Sequence, residues 1–149
     1  MRALANIIWH IPFLGFLSAL STFIIGGILV LTVIGAPIGL GLIQLSKFLL
    51  APFSKVMIDK KDVKSNQNKL WLAYGFIIRI LYFPIGLVLT IFVAFQVVGL
   101  FISIIGIPVA LVLAKSLGTY FNPVNKFCAS RYVVNEVTSQ KAKQHLGSV

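Results

Sequence analysis

Acidic residues are almost missing from this chain: Asp59, Asp62 and Glu136 stand against 13 Lys and Arg. A proton relay of membrane-buried carboxylates therefore has no material, and neither does a carboxylate acid–base pair. One cysteine, Cys128, excludes an intramolecular disulfide and any cysteine-cluster metal site. The two histidines lie 135 residues apart and make little case for a metal centre. No phosphate-loop motif G-x-x-x-x-G-K-[ST] occurs, and no Ser, His and Asp form a recognisable motif. The expectation is a protein that is not an enzyme and that uses no cofactor and no metal.

Charge of either sign is also scarce. Residues 3–46 are 44 uncharged positions between Arg2 and Lys47, and 35 more separate Arg79 from Lys115. A membrane-spanning helix needs about 20 apolar residues, so these runs point to an integral membrane protein. The first run is too long for a signal peptide, whose apolar core takes about 7–15 residues. The net charge of +10 flanks the apolar runs. It therefore suits anionic lipid headgroups and the bilayer rather than nucleic acid.

The chain repeats itself. A shift of 71, without gaps, places Gly15 on Gly86, Gly35 on Gly106, Pro37 on Pro108, Pro52 on Pro123 and Lys55 on Lys126. The repeats run over 3–60 and 74–131. The domain reading is a two-span membrane repeat over 1–60, a basic cytoplasmic linker over 54–70, a second two-span repeat over 71–131 and a polar cytoplasmic tail over 132–149. Two spans per repeat place Arg2, the linker and the tail on one side, which the excess of Lys and Arg makes the cytoplasm. An even span number relates the halves by an axis along the membrane normal.

Each repeat carries Gly-x-Pro inside an apolar run, at Gly35 and Pro37 in VIGAPIGL and at Gly106 and Pro108 in IIGIPVAL. Two placements of the turns compete. If Gly-x-Pro is the hairpin turn, Lys115 falls only about 10 Å beyond Pro108 and near mid-membrane, which is costly. If the turns lie at Gly26-Gly27 and near Gly99, the spans become 3–25, 28–50, 74–97 and 100–122. The second placement is preferred. It gives an all-α, polytopic fold of about four transmembrane helices in two tandem repeats, with a Pro-kinked second helix in each. Gly35 with Gly39, and Gly106 with Ala110, have the small-xxx-small spacing that lets helices approach closely. The kinks are either packing devices joining the halves or the walls of a midplane pore or hinge.

Beyond the kinks, Lys115, Thr119 and Asn122 form a polar stripe, with Gln44 and Lys47 as its counterpart in the first repeat. These residues face lipid headgroups or line a basic cytoplasmic vestibule that favours an anion. His10, Arg79 and Gln96 are the other polar residues of the membrane segments. Trp9, Trp71 and Tyr74 fit an interfacial aromatic belt.

The stretch Ile104-Ile105-Gly106-Ile107-Pro108-Val109, followed by a Lys and then by Pro123-Val124 and a basic residue, resembles the YccF family of small bacterial inner-membrane proteins. The earlier copy, Thr32 to Lys55, is similar to the same domain. Ala110 departs from an expected Gly, and Asn125-Lys126 from an expected basic pair. The resemblance implies a multi-pass protein of the bacterial inner (plasma) membrane, here with both termini cytoplasmic, and it carries no biochemical activity. Two functions follow from the residues. The first is a homo-oligomeric ion channel or small transporter with a basic vestibule, because two like halves are too small to enclose a wide path alone. The alternative is a non-transporting membrane scaffold or accessory subunit that binds anionic lipid or a cytoplasmic partner.

Overall fold

A computed structural model describes residues 2–11, 14–60 and 68–146. Helices α1 (Arg2–His10), α2 (Gly15–Leu31) and α3 (Ala36–Leu49) lead into strand β1 (Lys55–Asp59). Then come α4 (Lys69–Ile102), a 3-10 turn (Ile104–Gly106), α5 (Ile107–Phe121), strand β2 (Lys126–Ser130) and α6 (Arg131–Leu146). Lys61, Asp62 and Lys64 of the expected linker lie outside the described residues. The fold is mostly helical, as expected. By length and composition, two of the described helices suit a membrane crossing, or three if α1 and α2, which meet at 77°, form one broken span.

The turns lie elsewhere than expected. Gly26 and Gly27 are inside α2, and Gly99 is inside α4. The chain reverses instead at 32–35 and 103–106, directly before the two prolines. Pro37 and Pro108 therefore start α3 and α5 rather than kink them. The reason is local. The first N–H groups of a helix have no partner within it, so proline's missing donor is harmless there, and its fixed φ suits a helix start. Val33 takes the left-handed conformation at the first tip (φ 59°). The Tyr74 hydroxyl donates to the carbonyls of Val33 and Ile34 at 3.1 and 3.2 Å.

With the turns at Gly-x-Pro, packing still keeps Lys115 out of mid-membrane. Gly41 of α3 lies against the Pro123 carbonyl beyond α5. Val109 and Val112, near the start of α5, join Trp9, Phe48 and Leu49 around the end of α3. Helices α3 and α5 thus run antiparallel where they meet, through their C-terminal halves. The midpoint of α5 comes beside the base of the first hairpin, and Lys115 Nζ sits 4.7 Å from the centre of the Phe53 ring. With 14 residues, α3 is about 21 Å long, short of a roughly 30 Å hydrocarbon core, whereas α5 together with the 3-10 turn before it runs over 18 residues, Ile104–Phe121, and is one of the two helices that suit a crossing.

The fold is not all-α. Strands β1 and β2 pair antiparallel, with Lys55 opposite Ser130 and Met57 opposite Cys128. Strand β2 begins 71 residues after β1, as α5 begins 71 after α3. The ladder is centred on Met57 and Cys128, which the same shift superposes. The expected polar tail is largely helix α6.

Apolar periodicity explains what faces what. Helix α4 buries one stripe, Gly75, Ile78, Gly86, Val93 and Val97, and leaves apolar side chains such as Phe92 and Phe95 exposed. A helix apolar on all sides, with so little buried, is one that meets lipid. Helix α1 exposes Leu4, Ile7 and Ile8, while Trp9 is buried at 3% exposure rather than standing in an interfacial belt.

Candidate functional site

The crossing of α3 and α5 is a filled seam. Leu45, Ala110, Val112, Ser116 and Thr119 are at most 1% exposed, and Ser46 and Asn122 are buried with them. Their polar groups are satisfied locally: the Ser46 and Ser116 hydroxyls donate to Ile43 and Leu113 carbonyls at 2.8 Å. Such i−3 bonds let hydroxyls sit in an apolar seam without unpaired donors.

The expected kink residues are packing residues of separate hairpins. A side chain at Gly39 would meet Val30 and the Gly26 carbonyl within its own hairpin. One at Gly35 would meet Thr32 Oγ1 at 2.8 Å, and one at Gly106 the Leu100 carbonyl at 2.6 Å. Pro37 is buried and Pro108 half-buried, each at the start of its helix.

The expected polar stripe does not line one surface. Gln44 Oε1 accepts from the Cys128 N–H at 3.3 Å and ties α3 to β2. Lys47 is exposed, and its carbonyl accepts from Lys55 Nζ at 3.2 Å. Thr119 is buried, and Asn122 Oδ1 caps the turn by accepting from the Val124 N–H. His10 Nε2 lies 2.8 Å from the Leu50 carbonyl, so that nitrogen carries the proton, while Nδ1 is buried without a partner among the described residues. Gln96 is exposed on the outer side of α4.

The two hairpin bases are closed in different ways. In the first half, α1 folds back over the base. Trp9 Nε1 donates to the Leu49 carbonyl at 2.8 Å, and Asn6 bonds Ser54 Oγ and the Phe53 N–H at 3.1 and 3.2 Å. In the second half, α4 runs straight on through the corresponding positions. There Tyr82 donates to the Tyr120 carbonyl at 3.2 Å, and that carbonyl is the 71-residue counterpart of Leu49's. Gly15 and Gly86, also counterparts, make room for the Trp9 ring and for the Phe121 carbonyl with the Tyr82 ring, respectively.

This continuous helix leaves a cavity of about 430 Å³ at the second base, between the start of α4, the end of α5 and the strand ends. Its polar wall holds Asp59, Lys60, Arg79, Asn122, Asn125 and Lys126. Lys126 Nζ pairs with Asp59 Oδ1 at 3.3 Å. Among the described residues, Lys60 and Arg79 have no acidic partner. Arg79 is thus brought together with Asn122, but not with Lys47 or Lys115. Lys60 and Arg79 come together here through the strand pairing, which places the end of β1 beside α4.

Residues 4–55 match the YccF family model, an inner membrane component domain. The match falls on the first copy of the motif, whereas the resemblance had been more specific in the second. No curated protein and no solved structure matches the chain. The matched domain and the apolar helices together mark an integral membrane protein.

Proposed function

From a chain that carries a YccF inner membrane component domain over residues 4–55, we propose a non-transporting scaffold of the bacterial inner membrane built from two copies of one hairpin unit. The shared 71-residue offset of α3 and α5, of β1 and β2, and of Gly15 and Gly86 supports the duplication. The strand side, where Lys55, Lys60, Lys126 and Arg131 cluster, faces the cytoplasm under the positive-inside rule. The observation that carries the scaffold reading is the filled seam. A path for an ion needs polar, hydrated walls, and the surface shared by the two halves is instead packed shut around Leu45 and Val112.

A homo-oligomeric channel or anion transporter is the second reading, and Gln96 favours it. Its exposed carboxamide lies within an apolar helix, has no partner among the described residues and would find one on a second copy. Proteoliposomes decide between the two. The scaffold reading expects chloride and potassium efflux equal to that of protein-free vesicles. Efflux that rises with protein and is lost in Gln96→Leu would establish the channel instead.

A further inference from the structure

The cavity at the second hairpin base differs from its twin by an exchange of filling for charge. The 71-residue shift places Asn125 on Ser54, Val124 on Phe53 and Arg79 on Ile8. In the first half, α1 fills the position with Asn6 and Trp9, which bond the base directly. In the second half, among the described residues, no such helix turns back, and three cations surround the space with one carboxylate, a formal surplus of two positive charges. Unpaired cations at an unfilled site favour a negatively charged occupant. The cavity also has an apolar side, formed by Leu72, Phe76 and Phe121. Phe76 is 62% exposed, and Ile80, one turn further along α4, is 59% exposed, so the opening continues onto the lipid-facing surface of the helix.

We propose that this cavity binds the phosphate of an anionic phospholipid headgroup. Arg79 offers a planar fork that suits two phosphate oxygens, while Lys60 and Lys126 act as point charges. Asn125 supplies a neutral donor, and Phe76 and Leu72 carry the start of the acyl region. The ion pair to Asp59 holds Lys126 in place on the cavity wall. Basic recesses between helices on the cytoplasmic side are general headgroup sites. The size suits a headgroup, since ligand pockets run from about 300 to 1,000 Å³. The proposal rests on the reading of the strand side as the cytoplasmic face.

The test uses the full chain in nanodiscs of phosphatidylcholine with or without phosphatidylglycerol, with lipid retention read by native mass spectrometry. Arg79→Gln and Lys60→Gln should each weaken phosphatidylglycerol retention about tenfold, the loss of one charge-assisted contact. Arg79→Lys should recover part of it, and Lys143→Gln on α6 should leave it unchanged. Equal losses in Arg79→Gln and Lys143→Gln, or none in either, would overturn the site. Inorganic phosphate is the second arm. If it raises the melting temperature as much as the lipid does, and through Arg79, the occupant is a free phosphate and the lipid proposal falls. The scaffold reading fails separately, by ion efflux, whatever the lipid retention.

Discussion

Gly41 and Gly99 both lie in apolar helices and differ in what stands beside them. A methyl at Gly41 would fall on the Pro123 carbonyl, where α3 meets the base of the second hairpin, and one at Gly99 would meet open space. Backbone cannot rotate away as a side chain can, so Gly41→Ala must separate the halves. It should lower stability by about 1–3 kcal/mol, the range for overpacking a filled core. Gly99→Ala removes a poor helix former without a clash and should be neutral or stabilising by up to about 1 kcal/mol. Melting temperatures of the two variants in one detergent compare them directly. Nothing in the sequence separates these glycines: each is followed by Leu in an apolar run. Their difference arises from a partner 82 positions from Gly41.

At the scale of the element, the prolines mark starts. Pro37 and Pro108 are each the second residue of a helix, where no hydrogen bond is lost. Pro108→Ala should therefore shift stability by under about 1 kcal/mol, whereas a mid-helix proline would be associated with about 3 kcal/mol. Circular dichroism should show unchanged helix content, and a clear gain in helicity would restore the kink reading. The motif was legible as a breaker and as a duplicated one, but its role was not. Length arithmetic treated every helix as a full span, and α3, with 14 residues, is shorter than that. The strands were hidden for another reason. KVMID and KFCAS have five residues each, no hairpin turn joins them, and their paired residues lie between 67 (Asp59 and Lys126) and 75 (Lys55 and Ser130) positions apart. Local pattern cannot show a strand whose pairing is entirely long-range. The groove at Arg79 was hidden with them, since the strand pairing assembles it.

For the whole molecule, the sparse charge was enough to read a membrane protein, and the 71-residue shift suggested the duplication proposed above. They could not give the relation between the halves. Two parallel copies side by side had been expected, and instead α3 and α5 cross, with the strands pairing about a centre at Met57 and Cys128. That crossing explains the filled seam, the position of Lys115 beside Phe53 and the one open base at Arg79. It is the claim on which the rest depends, and a cross-link reads it directly. Directly opposed antiparallel residues have Cα atoms about 4.5–5.5 Å apart, within the reach of a disulfide. Met57→Cys provides a second thiol opposite Cys128 in a chain that has no other. Burial pushes the Cys128 thiol above its ordinary range, and Lys55 and Lys47 pull it partly back. The reactive thiolate is therefore sparse at neutral pH and grows as pH rises through that raised value, so oxidation is best run on the alkaline side. With a protease site inserted within residues 61–67, the cut halves of Met57→Cys should stay joined without reductant and separate with it. Halves that separate without reductant, or that are joined only between different chains, would contradict the crossing.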